Sequence, residues 1–163
     1  MNMHIFRIVI FFISFLLISS CNKEDTIYEI NQINSSSYNA NKNKLKSTMQ
    51  YISILYANLF QTALSSNELV EITNCIESIG DKKVAHELIL SNFMNSQQVL
   101  IPSDSLMRSD LNRFIEETYK RFYVRDITEA ERKFFIDFFN SNPNVSSEMV
   151  YMAFALSNEY QFY

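Results

Sequence analysis

An all-α fold is predicted for this 163-residue chain from three features of its sequence. Glycine occurs once (Gly80) and proline twice (Pro102 and Pro143), too few for a sheet-rich fold built on many tight turns. From about Lys44 onward, apolar residues recur at three- and four-residue steps, the spacing of one helix face. Two stretches, Ser65-Ser66-Asn67-Glu68 and Thr128-Glu129-Ala130-Glu131, carry the capping-box pattern that opens a helix. The expectation is about six helices in two similar three-helix units, preceded by a signal peptide and a flexible tether.

In chain order, Arg7 is followed by an apolar block, Ile8 to Leu17, and then by Ile18-Ser19-Ser20-Cys21. That is the layout of a secretory signal peptide, which is removed and is no part of the fold. An uncleaved anchor helix is the alternative, but the run is short for a span of about 20 residues. An aliphatic residue, two small residues and a cysteine resemble the lipobox of bacterial lipoproteins. The resemblance implies a lipoprotein signal peptide over residues 1–20, cleavage before Cys21, a diacylglyceryl group on its thiol and acylation of the new amino terminus. Each buried lipid CH₂ contributes about 0.8 kcal/mol and stable anchoring takes more than one chain, a requirement that a triacylated Cys21 meets. The next residues, Lys23, Glu24 and Asp25, look like the surface export signal of Bacteroidota lipoproteins, and Asn22 agrees with outer-membrane sorting. The implied location is the outer membrane, lipid-anchored and on the cell surface, with a periplasm-facing orientation as the alternative.

Residues 21–43 read as a lipid-anchored flexible tether, polar and rich in Asn and Ser. The helical domain then covers residues 44–163, with units at about 44–96 and 105–163. In the first helix Leu45, Met49, Ile52, Leu55, Tyr56, Leu59 and Phe60 share a face. A second opens at the Ser65 capping box, carries Leu69, Ile72, Cys75, Ile76 and Ile79 inward, and is stopped by Gly80. A third carries Val84, Ala85, Leu88, Ile89 and Phe93. After a polar connection ending at Asp104, a fourth carries Leu111, Phe114, Ile115, Thr118, Tyr119, Phe122 and Tyr123. The Thr128 capping box opens a fifth with Phe134, Phe135, Phe138 and Phe139, and a sixth follows Pro143 with Val150, Ala153, Phe154 and Tyr160.

The two halves can be laid over each other. A shift of 63 puts Tyr56 on Tyr119, Ser65 on Thr128 and Glu68 on Glu131; past the loop, a shift of 66 puts Leu90-Ser91-Asn92 on Leu156-Ser157-Asn158. An internal duplication is the simplest account. The run Tyr119…Arg125-Asp126-Ile127-Thr128-Glu129-Ala130-Glu131, closing with Leu156-Ser157-Asn158-Glu159-Tyr160, resembles a helical module at the carboxyl end of planctomycete-type secreted proteins associated with cytochrome c domains. The whole chain is also similar to small lipoproteins of Bacteroidota. Ile127 stands where that module has Pro, and the cytochrome region is missing. The likeness covers roughly residues 111–163; it implies a helical fold and a bacterial setting, and carries over no catalytic residue.

Composition narrows the function. The formal charge is −4, and loss of Arg7 with the leader brings it to about −5, with no basic cluster to bind nucleic acid. One glycine excludes a Gly-rich phosphate loop. With Cys21 acylated, Cys75 has no disulfide partner and reads as a small hydrophobe in an apolar stripe. His86 is the only histidine beyond the leader, too few ligands for a metal site, and it reads as a packing or surface residue. Glu116 and Glu117 suit surface pairs with Lys120 and Arg121 at four-residue spacing. Arg125, at a turn between helices, reads as a buried or bridging residue that fixes the helix corner, with a ligand contact as the alternative.

No catalytic residue, metal ligand or cofactor is expected. The aromatic residues of the second half exceed what one narrow stripe needs. Phe134 and Phe138 form a row that could face a partner, and Tyr160, Phe162 and Tyr163 form either an exposed docking tail or a last core turn. Thr26 and Ser105 sit in Asp-Ser/Thr-aliphatic triplets that resemble the O-glycosylation motif of Bacteroidota secreted proteins. The expected function is a non-catalytic, lipid-anchored helical binding or assembly module at the bacterial outer membrane, held to the membrane through Cys21 and docking an envelope protein. An envelope hydrolase and an electron-transfer accessory are the alternatives.

Overall fold

A computed structural model describes residues 42–163; Cys21, Lys23, Glu24, Asp25 and Thr26 lie outside the described residues. The described chain is all-helical. Its helices are α1 (Thr48–Phe60), α2 (Ser66–Ser78), α3 (Lys82–Met94), α4 (Asp104–Ser109), α5 (Leu111–Tyr123), α6 (Glu129–Ser141) and α7 (Ser147–Leu156), followed by a 3₁₀ turn (Glu159–Gln161). The count is seven, one more than expected. Ser103 caps a short helix, α4, where the expected connection ends and the second unit begins, and Asp110, at φ −151°, breaks it from α5 and caps the latter through Arg113 N–H.

Local chemistry explains the helix starts. Both expected capping boxes form, with Ser65 and Thr128 accepting from the backbone of Glu68 and Glu131, whose carboxylates accept in return. A third, Ser47 with Gln50, opens α1, three residues later than the apolar pattern suggested. Leu45 therefore lies in an extended strap. It forms an antiparallel bridge with Phe162, the single bridge among the described residues. Gly80 is not the cap of α2: the helix ends at Ser78, Ile79 leaves it extended, and Gly80 keeps a negative φ.

α1 packs on α2 and α3, α5 packs on α6 and α7, and α3 lies against α7 to join the two groups around one core. Tyr51, Ile52, Leu55 and Leu59 of α1 are buried, as are Ile115, Tyr119 and Phe122 of α5. Leu45, Met49, Val84, Leu88 and Cys75, all expected inward, are exposed. In α1 the inward face runs through Tyr51, Ile52, Leu55 and Leu59, and Met49, in the first turn, stays exposed. In α2 the inward line narrows to Thr73 and Ile76, so Cys75, one residue off that line, faces solvent.

The Glu116 and Glu117 pairing also differs from expectation. Glu116 bonds Arg132 of α6 at 2.6 Å, tying two helices, and Glu117 bonds Arg113 at 2.8 Å, one turn earlier rather than later. Arg121 instead reaches the Leu100 carbonyl at 3.0 Å and lies over the Tyr151 ring.

Candidate functional site: the aromatic face of α6 and the Arg125 corner

Arg125 follows α5 and reaches two acidic residues from different parts of the chain. Its guanidinium bonds Glu131 at 2.7 and 3.0 Å and Glu159 at 2.7 and 2.9 Å, two bidentate pairs of the geometry that suits a planar fork. Its Cζ lies 4.8 Å from the Tyr119 ring centroid and 5.7 Å from that of Tyr123. Hydrogen bonds from Arg125 hold the Glu131 carboxyl down to about 2, and they depress Glu159 as well. Lys42 completes the group, 3.3 Å from Glu159 and 5.0 Å from the Tyr123 ring centroid. Lys42, placed in the tether by composition, is thus attached to the domain.

The strap continues this attachment. Lys44 and Tyr163 exchange backbone hydrogen bonds, and Lys46 N–H donates to the Gln161 carbonyl. The Lys46 ammonium donates to the carbonyls of Tyr160 and Phe162. Tyr160 itself is fully buried: it meets Tyr51 and Phe122 edge-on, and its hydroxyl accepts from Asn58. Of the three terminal aromatics offered as a partner surface, Tyr160 is therefore removed, because the 3₁₀ turn folds its ring between α1 and α5. Phe162 is half-buried, and Tyr163 is exposed, with its hydroxyl accepting from Gln50.

α6 divides its four phenylalanines. Phe139 is buried and Phe135 half-buried against Tyr119 and Phe154. Phe134 and Phe138 face out, 63% and 40% exposed, with rings 6.3 Å apart and nearly parallel. Lys133 and Asp137 pair at 3.2 Å beside them. The corner before α6 exposes a further apolar residue, Val124, at 85% and with φ 54°.

The remaining candidates are accounted for by packing. His86 stacks on Tyr51 with ring centroids 3.9 Å apart, and burial followed by the Lys82 charge lowers its pKa. Ser105 is exposed in the first turn of α4; its neighbour Asp104 accepts from the Ser147 N–H and hydroxyl at 2.8 and 3.0 Å. A 280 Å³ cleft between α5 and α6 is lined by Glu116, Lys120, Asp126, Ile127 and Arg132, whose charges already pair with one another. Among the described residues, no group of three His, Cys, Asp or Glu side chains converges as metal ligands, and no helix is long and apolar enough to cross a membrane.

Sequence reasoning missed Arg108. Its guanidinium donates to the carbonyls of Phe139, Asn142, Pro143 and Val145 at 2.8 to 3.1 Å, and so holds the end of α6 and the loop into α7. Those acceptors are backbone atoms more than thirty residues away, so no side-chain pattern announces them. No protein-family model, curated protein or solved structure matches this chain.

Proposed function

We propose that this protein is a non-catalytic, lipid-anchored binding or assembly module of the bacterial outer membrane, made of two copies of one three-helix unit. The observation that carries the binding reading is the exposed Phe134–Phe138 row, weighed against the corresponding place in the first unit. The copies are supported by features 63 residues apart: helix caps at Ser47 and Asp110, left-handed closing residues Gln61 and Val124, and capping boxes at Ser65 and Thr128.

At that spacing Phe134 corresponds to Glu71 and Phe138 to Cys75, both exposed. The same helix position is served by a charged residue in one unit and a phenylalanine in the other, so helix packing does not require an aromatic there. Two large exposed rings in a row are a feature of binding surfaces. The anchoring reading rests on the lipobox-like run ending at Cys21 and on the Lys23-Glu24-Asp25 sequence after it, with residues 22–41 left as the link to the strap at Lys42.

Fractionation of cells expressing Cys21→Ser tests the anchor. The expected outcome is a shift from the membrane to the soluble fraction and loss of the acyl mass on the amino-terminal peptide. A variant that stays in the membrane overturns it. For the surface, a photo-crosslinking side chain at position 134 is expected to capture protein on living cells, while the same group at position 71 is not.

A further inference from the structure

We infer that the partner of the α6 face is a second copy of this chain, joined to the first through an antiparallel α6–α6 contact. The inference rests on the reading of Phe134 and Phe138 as a binding surface, and names what covers it.

The face is a narrow helix stripe. Ala130, Phe134 and Phe138 follow at four-residue steps and are all exposed, with Lys133 and Asp137 along one flank. A stripe of this shape fits another helix, as ridges fit grooves. α2 packs on both α1 and α3, whereas the main approach of α6 is to α5. Its outer side is therefore open among the described residues.

The charges select the orientation. A two-fold axis lying in the contact plane between Phe134 and Phe138, perpendicular to the helices, brings each Phe134 onto the Phe138 of the other copy. It also sets the same flank of both helices side by side. With a rise of 1.5 Å per residue, each Lys133 then lies about 3 Å along the axis from the other copy's Asp137. The flank reads Lys, Asp, Asp, Lys across the contact: two Lys133–Asp137 approaches enclose one Asp137–Asp137 approach at the same axial spacing, so opposite-charge neighbours outnumber like ones in this isologous arrangement. A parallel contact would put the charged flanks on opposite sides. Within one chain, Lys133 and Asp137 are both largely exposed, and such a pair contributes little, so it is free to exchange partners.

A single helix stripe covers less than the roughly 800 Å² per partner of a standard interface, so a weak contact is expected in dilute solution. Two anchored copies on one membrane would raise the effective concentration in the way a linker does.

The test co-expresses two differently tagged full chains and measures co-capture from membranes, with a photo-crosslinker at position 134 to identify the neighbour. Expected is a crosslinked product of two copies of this chain. Co-capture should fall on the order of tenfold or more in Phe134→Asp with Phe138→Asp, at exposed positions that leave helicity by circular dichroism unchanged. Lys133→Asp alone and Asp137→Lys alone each place like charges together and weaken co-capture. Pairing one chain carrying Lys133→Asp with one carrying Asp137→Lys restores it. A merely sticky surface would not reproduce that rescue. Crosslinks from position 134 to a different protein overturn the self-contact and leave the binding surface standing. Crosslinks within one chain, or none, overturn both.

Discussion

Arg125 gathers Glu131, Glu159, Tyr119 and Tyr123 around one guanidinium, with Lys42 at the edge. The fork matters more than the charge here, because two carboxylates are each met by two N–H groups, which a lysine cannot reproduce. Replacing Arg125 by Ala is expected to destabilise the fold by about 1.5–3 kcal/mol, the range for hydrogen bonds to charged groups. The same group sets a pH dependence. Glu131 titrates near 2 in the folded protein, against 4.5 ordinarily. Its stabilisation is therefore complete above pH 4.5 and is lost as pH falls from there toward 2. Urea unfolding at stepped pH should show this loss in the natural chain and a flatter profile in Arg125→Gln. Equal slopes in the two would rule out Arg125 as the cause.

Among the helices, the ends differ in quality more than the middles do. Three capping boxes start α1, α2 and α6, and Arg108 closes α6 from a distance. The close of α5 is less favourable. Val124 occupies the left-handed region, at φ 54°, where a β-branched side chain crowds the backbone and Gly or Asn is the usual occupant. At 85% exposure its side chain contributes almost no burial to offset that strain. Val124→Asn is expected to raise stability by about 0.5–1 kcal/mol, since an ordinary residue in this region costs roughly 1–2 kcal/mol. A chemical denaturation midpoint that moves down instead would mean Val124 makes a contact that offsets its conformation.

For the described domain as a whole, the last five residues are structural. Tyr160 fills the space between α1 and α5, and the strap from Lys42 to Lys46 pairs with the residues that follow it, so both ends of the domain close over one region. Tyr160→Ala is expected to cost about 3–5 kcal/mol, as truncations of large buried aromatics do. That is a large part of the roughly 5–15 kcal/mol typical of a whole domain. Tyr160→Phe keeps the ring and gives up the Asn58 bond, a loss of about 1 kcal/mol. Thermal unfolding followed by circular dichroism should separate the two; similar midpoints would show that the ring is not a core element.

The helical class, the positions of five long helices to within a few residues and two capping boxes were determined by the sequence alone. Each depends on contacts within one turn, such as Ser65 with Glu68, or on a period that one helix imposes by itself. That Arg125 fixes the corner between two helices was legible too, from its place in the turn, but its partners Glu131 and Glu159 were not. Which side of each helix is buried was decided only in the tertiary structure. Met49, Val84 and Leu88 fit an apolar period as well as Tyr51 and Leu90 do, and only the neighbouring helices choose between them. The same holds for the candidate surface. The sequence divides the four phenylalanines of α6 into two rows and offers Phe134 and Phe138 as the outward one; it is the packing of α5 and α7 that draws Phe135 and Phe139 inward while Phe134 and Phe138 stay in water. Burial is a property of the whole arrangement, whereas capping and periodicity belong to the segment.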